Sequence, residues 1–202
     1  MTWKKYLQNT KNKPSCALLK ETLAYVTTKE NALDLGAGAL NDTREIVRGG
    51  FHTIDVVDME PNVAELIKSL RTELHTGHEI NFYNQSFESF VFPNSKYDLI
   101  NAQYSLPFIT PHKFDSVWSK IPTSLKPGGI FTGTFFGVED EWNDGARSNI
   151  TFHNKEEALS LFTQTNMNLI KFEEINKNGT TAAGARKHWH VFAIIASRSQ
   201  KL

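Results

Sequence analysis

One cysteine, Cys16, is all that the 202 residues contain. An intrachain disulfide is therefore excluded, as is a metal centre built on thiolates, and a buried structural thiol is the reading left for Cys16. The chain also lacks any uninterrupted apolar run long enough to span a bilayer, and its opening, Met1-Thr2-Trp3-Lys4-Lys5-Tyr6, has no apolar signal-peptide core. Both absences point to the cytoplasm and away from a membrane partner. Net charge is missing too: Lys+Arg and Asp+Glu stand at 22 each, so no global field would draw a polyanion, and nucleic acid is not implied. Residues 1–20 carry Lys4, Lys5, Lys11, Lys13 and Lys20 without one acid. They read as a solvated helix face rather than as a lid over an anionic ligand. What is present, 40% hydrophobic and 22% charged residues over this length, suits one soluble globular domain.

The chain alternates between two hydrophobic periods. Leu19, Leu23 and Val26 follow helical spacing, so 15–28 reads as an amphipathic helix inside an N-terminal segment, 1–29, that precedes a domain at 30–202. Ala32-Leu33-Asp34-Leu35 is a short apolar run that ends in Gly36-Ala37-Gly38, as a buried parallel strand would. Asn41 or Asp42 then caps a short helix closing at Gly49-Gly50, a second strand covers 53–58, and Pro61 opens a helix with Val63, Leu66, Ile67, Leu70 and Leu74 on one face. Strands at 80–83, 97–102 and 130–136 follow, with Phe114, Val117, Trp118 and Ile121 forming a helix face between the last two. Asn154 and Glu157 open a further helix as a capping box. Leu169 to Ile175 and His188 to Ala196 are two final strands with no helix between them, hence an antiparallel pair joined by 176–187. The expected fold is α/β: a doubly wound, Rossmann-like, seven-stranded sheet, mostly parallel with an antiparallel last strand and helices on both faces.

Such a sheet binds its ligand at the carboxyl ends of its strands, near the switch in strand order. Gly36 and Gly38 let backbone approach a ligand there, and Asp58, ending the second strand, can accept hydrogen bonds from a ribose diol. A nicotinamide dinucleotide would use the same elements, which makes an NAD-binding oxidoreductase a rival. Against it, the G-x-G-x-x-G fingerprint needs glycine where Asn41 stands. Asp34, two residues before Gly36, would repel a pyrophosphate and suit the ammonium group of S-adenosylmethionine (SAM).

Taken together, Asn31 to Gly38, Asp58, Tyr97-Asp-Leu-Ile100 and Leu125-Lys-Pro-Gly-Gly-Ile130 resemble the signature series of class I SAM-dependent methyltransferases. Within that superfamily, Thr151-Phe-His153 and Lys187-His-Trp-His190 look most similar to small bacterial proteins of the TehB-like (tellurite resistance) and thiopurine-methyltransferase-like type. The resemblance implies SAM as cofactor, with Asp34, Gly36 and Gly38 at its methionine end, Asp58 on the ribose, Met59 against adenine, and Asn101 reaching the methionine portion through its backbone carbonyl. Where relatives place an acidic residue for the adenine amino group this chain has Gln85, followed by Ser86 and Phe87, so an amide oxygen or backbone groups take that contact.

Methyl transfer from a sulfonium is an in-line displacement, so alignment and exclusion of water matter more than covalent machinery. The acceptor approaches over the loops after the fourth, fifth and sixth strands. That rim gives Tyr104, Trp142, His153, His188 and His190 as acceptor-side candidates. His188 and His190 share one strand face and are the candidates for a proton acceptor; hydrogen-bonded rim histidines are the alternative, and a metal held with His153 is set aside. The expected partner is a small-molecule acceptor, a thiol, chalcogen oxyanion, hydroxyl or amine; a SAM-binding module without turnover is the rival reading. Oligomeric state is not readable.

Overall fold

A computed structural model describes residues 3–74 and 77–200. Two N-terminal helices, α1 (Trp3–Thr10) and α2 (Ala17–Thr22), precede an alternating series: β1 (Asn31–Leu35), α3 (Asn41–Arg48), β2 (Thr53–Val57), α4 (Val63–Glu73), β3 (Glu79–Tyr83) and β4 (Tyr97–Ala102). After a short 3-10 turn at Leu106–Phe108 come α5 (Pro111–Trp118), α6 (Lys120–Ser124), β5 (Leu125–Gly137), β6 (Phe152–His153), α7 (Lys155–Thr163), β7 (Met167–Thr180) and β8 (Arg186–Arg198).

Seven strands run in the order β3-β2-β1-β4-β5-β8-β7, and the two-residue β6 pairs with the end of β5. All neighbours are parallel except β8, which runs antiparallel to both β5 and β7. Alternation along each strand splits the core into two layers. Leu33, Leu35, Ile100, Phe131, Phe135 and Ile194 face a cluster containing Phe114, Trp118 and Phe162 from α5 and α7. Ala32, Ile54, Val56, Leu99, Ile130 and Ile195 face another containing Leu19, Ile46, Ile67 and Leu70 from α2, α3 and α4. Trp118 is core, as a helix residue on an apolar face should be.

Several boundaries differ from expectation, each for a local reason. The 15–28 helix stops at Thr22, because Ala24 and Tyr25 bond back three residues in a turn. Neither Asn41 nor Asp42 caps α3; its N-cap is Leu40 at φ 63°, and Asp42 instead accepts the Cys16 N–H at 2.7 Å. The segment 176–187 is not a loop. Residues through Thr180 and from Arg186 onward belong to one long hairpin, and only 181–185 turn. The Asn154–Glu157 capping box forms as expected, both bonds being 2.8 Å. No helix among the described residues is long and apolar enough to cross a membrane.

Candidate active site at the carboxyl edge of the sheet

Strand order reverses between β1 and β4, so the loops leaving these two strands open the crevice where a doubly wound sheet takes its ligand. Gly36 turns the chain out of β1 at φ +77°, and its backbone presses against the loop after β4: a Cβ built there would stand 2.4 Å from Ser105 Cβ and 3.4 Å from Phe87 Cζ. Phe87, read from the sequence as an adenine-side residue, thus reaches the first turn. Gly38, at φ +49°, donates its N–H to Asp58 Oδ2 at 2.9 Å, and Glu60 N–H reaches Asp58 Oδ1 at 2.8 Å. Asp58 therefore braces the loops after β1 and β2 while keeping lone pairs for a further donor. Met59 is 64% exposed beside it, a thioether left open for a flat ring.

Asp34 lies beneath this turn rather than on its surface. It is 1% exposed, and its oxygens accept from Thr43 Oγ1 at 2.6 Å and Asn101 Nδ2 at 2.8 Å. Burial, then the nearby Asp42, push its carboxyl up to about 7. Asn101 is itself buried and tied through Gln103 Nε2 at 3.2 Å to Thr132, so its side chain serves the network under the turn. Gln85 and Ser86 follow β3, where Ser86 Oγ lies 3.2 Å from Ser89 Oγ.

Sequence reasoning missed three features. Ser105 Oγ is buried next to the Gly36 turn without a hydrogen-bond partner among the described residues, and nothing in the sequence marks it apart from the adjoining Tyr104. Helix α1 lies across the turn: the Tyr6 ring comes within 3.5 Å of the Gly38 Cβ position, Trp3 packs edge-on to Phe108 at 5.5 Å, and Asn41 Nδ2 bonds Thr10 O at 2.8 Å. The N-terminal segment is thus packed onto the glycine turn and the start of α3. The five lysines of residues 1–20 are exposed, as a solvated face requires. The third feature is the buried ion pair of Lys187 with Asp140.

Of the residues expected on the acceptor side, Tyr104 is 42% exposed and meets the Trp189 ring at 5.9 Å. Trp142 seals a small cluster with Phe136, Ile150 and Val191. The three histidines are each buried or engaged by neighbouring groups. His153 is 8% exposed between Phe114 and Phe135, its Nδ1 has no partner among the described residues, and burial lowers its pKa. His190 is 3% exposed and packs against Gly137; Nδ1 accepts from Glu139 N–H at 3.0 Å, so Nε2 carries the proton toward Glu174 at 3.1 Å. That leaves no free ring nitrogen for an acceptor proton. His188 has ring nitrogens 2.9 and 2.6 Å from the side-chain oxygens of Asn178 and Asn176. The hydrogen-bonded reading fits both rim positions: β7 runs on past Ile175 to supply Asn176 and Asn178 to His188, while Glu174 and the Glu139 N–H hold His190. Among the described residues no His, Cys, Asp and Glu cluster is arranged to hold a metal.

The model of the family described as AdoMet-dependent proline di-methyltransferase matches residues 9–178. The chain belongs to this family. SAM is therefore its cofactor class, and the site fits the group: a backbone cradle that a Cβ would fill, an orphaned buried hydroxyl at Ser105, and an exposed thioether at Met59. The family match corrects the narrower TehB-like and thiopurine-methyltransferase-like resemblance while keeping the class. An α N-terminal protein methyltransferase 1 of Drosophila melanogaster is 30% identical over 49% of this chain and 36% of its own length. A sterol 24-C-methyltransferase of Eremothecium gossypii is also 30% identical, over 54% of this chain and 28% of its own. The chain thus spans about a third of the length of the curated relatives it matches. A SAM-dependent methyltransferase of Methanosarcina mazei superimposes with a TM-score of 0.71 at 17% identity, covering 93% of this chain and 100% of that one, which shows the fold.

Proposed function

We propose that this protein transfers methyl groups from SAM to an amine nitrogen, and that its acceptor is the α-amino group of a protein N-terminus beginning with proline rather than a small molecule. The family match carries the choice of nitrogen, and one observation in the site supports it. The three acceptor-side histidines have their ring nitrogens engaged or buried, which favours an acceptor needing little help with its proton. An α-amine ionises at about 8, so a usable fraction is neutral near physiological pH without an enzymic base.

When bound, SAM supplies the electrophilic methyl group on its sulfonium. Gly36 and Gly38 admit it closely, Asp58 and Met59 take the ribose and adenine, and Asp34 from beneath holds the ammonium electrostatically. Tyr104 and Trp189 wall the approach of the acceptor, where α1 helps to exclude water. The test is a panel with labelled SAM: peptides beginning with proline, the same peptides N-acetylated, thiols, phenols and chalcogen oxyanions. Label in the free proline peptides only is the expected result, and label in a small molecule but in none of the peptides overturns the N-terminal reading.

The Asp34 role predicts a pH dependence. In the cofactor-free fold its carboxyl titrates near 7, far above the ordinary 3.8. The stability it contributes is thus present below 3.8 and lost as pH rises through 7. A bound ammonium favours the ionised form, so SAM binding expels the proton below pH 7. Asp42 and Asp58 are likewise pushed up, by burial first. SAM affinity should rise by up to about tenfold per pH unit from 5.5 to 7, then level off. Calorimetry in buffers of different ionisation enthalpy should show proton release at pH 6, and Asp34→Asn should flatten the profile. A flat wild-type profile would remove Asp34 from ammonium binding.

A further inference from the structure

Lys187, at the start of β8, sends its ammonium inward. Its side chain is 2% exposed and that of its partner Asp140 0%. Nζ bonds Asp140 Oδ1 and lies 3.2 Å from His188 O. It stands over three aromatic faces, with ring centroids at 3.6 Å for Trp189, 4.4 Å for Trp142 and 5.4 Å for Phe136. Asp140 is fixed in turn, accepting Trp142 N–H at 3.0 Å and His190 N–H at 3.2 Å. Burial lowers the Lys187 pKa while Asp140 pulls it back up.

A buried ion pair needs a reason, because a well-packed apolar group of similar volume commonly stabilises a fold as well or better. Here the surroundings supply one. Aromatic faces closing on a cation, with a carboxylate as the remaining wall, are the chemistry that recognises an alkylammonium group. The rings come from separate segments: Phe136 is the last residue but one of β5, Trp142 lies in the loop after it, and Trp189 is on β8. Without a cation between them, Trp142 and Trp189, 5.5 Å apart, would lose what they share. Trp189 and Phe136 also contact Tyr104, the exposed ring beside the cofactor turn.

We propose that Phe136, Trp142 and Trp189 over Asp140 form an alkylammonium-binding seat, which Lys187 fills from within the chain and thereby fixes the aromatic wall next to Tyr104. Lys187 acts through the two indoles and is a positioning residue. The seat is independent of which acceptor the protein methylates.

The experiment is chemical rescue. Lys187→Ala removes the ammonium and joins the space of its stem to the surface cavity lined by Glu141, Asn178, Gly179, Thr180, Arg186 and His188, so a small amine has a way in. The variant should show altered tryptophan emission and a lowered melting temperature. Millimolar propylammonium should restore both saturably, whereas sodium chloride and neutral 1-propanol should not. Wild type, its seat filled, should not respond. Adding Asp140→Asn should weaken the rescue by about tenfold or more, as loss of a charged partner does. Equal rescue by propanol, or none by propylammonium, overturns the seat. If Lys187→Ala does not fold alone, its refolding yield is compared with and without propylammonium: a higher yield with the amine supports the seat and an equal yield overturns it. On a proline-initiated peptide, Lys187→Met should raise KM for the peptide about tenfold with SAM affinity unchanged, and Lys187→Arg should recover part of it. A wild type that methylates no such peptide would sink the N-terminal acceptor and leave the seat to the rescue result.

Discussion

Gly36→Ala is expected to abolish measurable SAM binding and to lower the melting temperature sharply. Alanine at φ +77° carries the left-handed penalty of about 1–2 kcal/mol. Its Cβ would also stand 2.4 Å from Ser105 Cβ, so the turn after β1 or the loop after β4 must shift. Both leave central strands paired to one another, and forcing such a shift costs about 1–3 kcal/mol more. Since the turn is the proposed methionine cradle, a displacement of that size moves the backbone that SAM must approach. Calorimetry with SAM and with S-adenosylhomocysteine measures the first effect and thermal melting the second. Adding Ser105→Gly removes the opposing Cβ and should return part of both, a coupling that independent sites would not show. A Gly36→Ala protein with native melting and native SAM affinity would place the cofactor elsewhere.

Asp58→Ala is expected to weaken SAM binding by about 1.5–3 kcal/mol, roughly 10- to 150-fold, while the protein stays folded. The loss has two parts: an anionic acceptor is removed from the ribose hydroxyls, and the Gly38 and Glu60 N–H groups lose their common partner. Adenosine should lose affinity by the same factor as SAM, because both carry the ribose, whereas a general loosening of the fold would lower melting without this pairing. Unchanged adenosine affinity in a folded variant would make Asp58 a structural brace alone.

The α/β alternation, the glycine turn after the first strand and Asp58 at the end of the second were legible because each rests on local spacing. A strand buried on both faces is a run of apolar residues, and a tight turn into a ligand site calls for glycine. Trp118 read correctly as core for the same reason, and the Asn154–Glu157 cap because both partners lie within one helical turn. The rim was not legible. His188 and His190 share a strand face, which the spacing gave, but their partners Asn176, Asn178 and Glu174 come from a neighbouring strand whose length the Gly179-containing stretch concealed. Ser105 gained its significance only from its contact with Gly36, far earlier in the chain and on the adjoining strand end.

The amino-acid sequence by itself determined the fold class and the position of the glycine turn after the first strand, since periodicity and glycine placement act within a few residues. Tertiary structure decided which polar groups are free: it buried Asp34 under the turn, engaged the rim histidines, and closed three aromatic rings and Asp140 around Lys187. Whether a titratable group serves chemistry or structure depends on its burial and its partners. Those are set by residues distant in the chain, brought together only when the sheet is assembled.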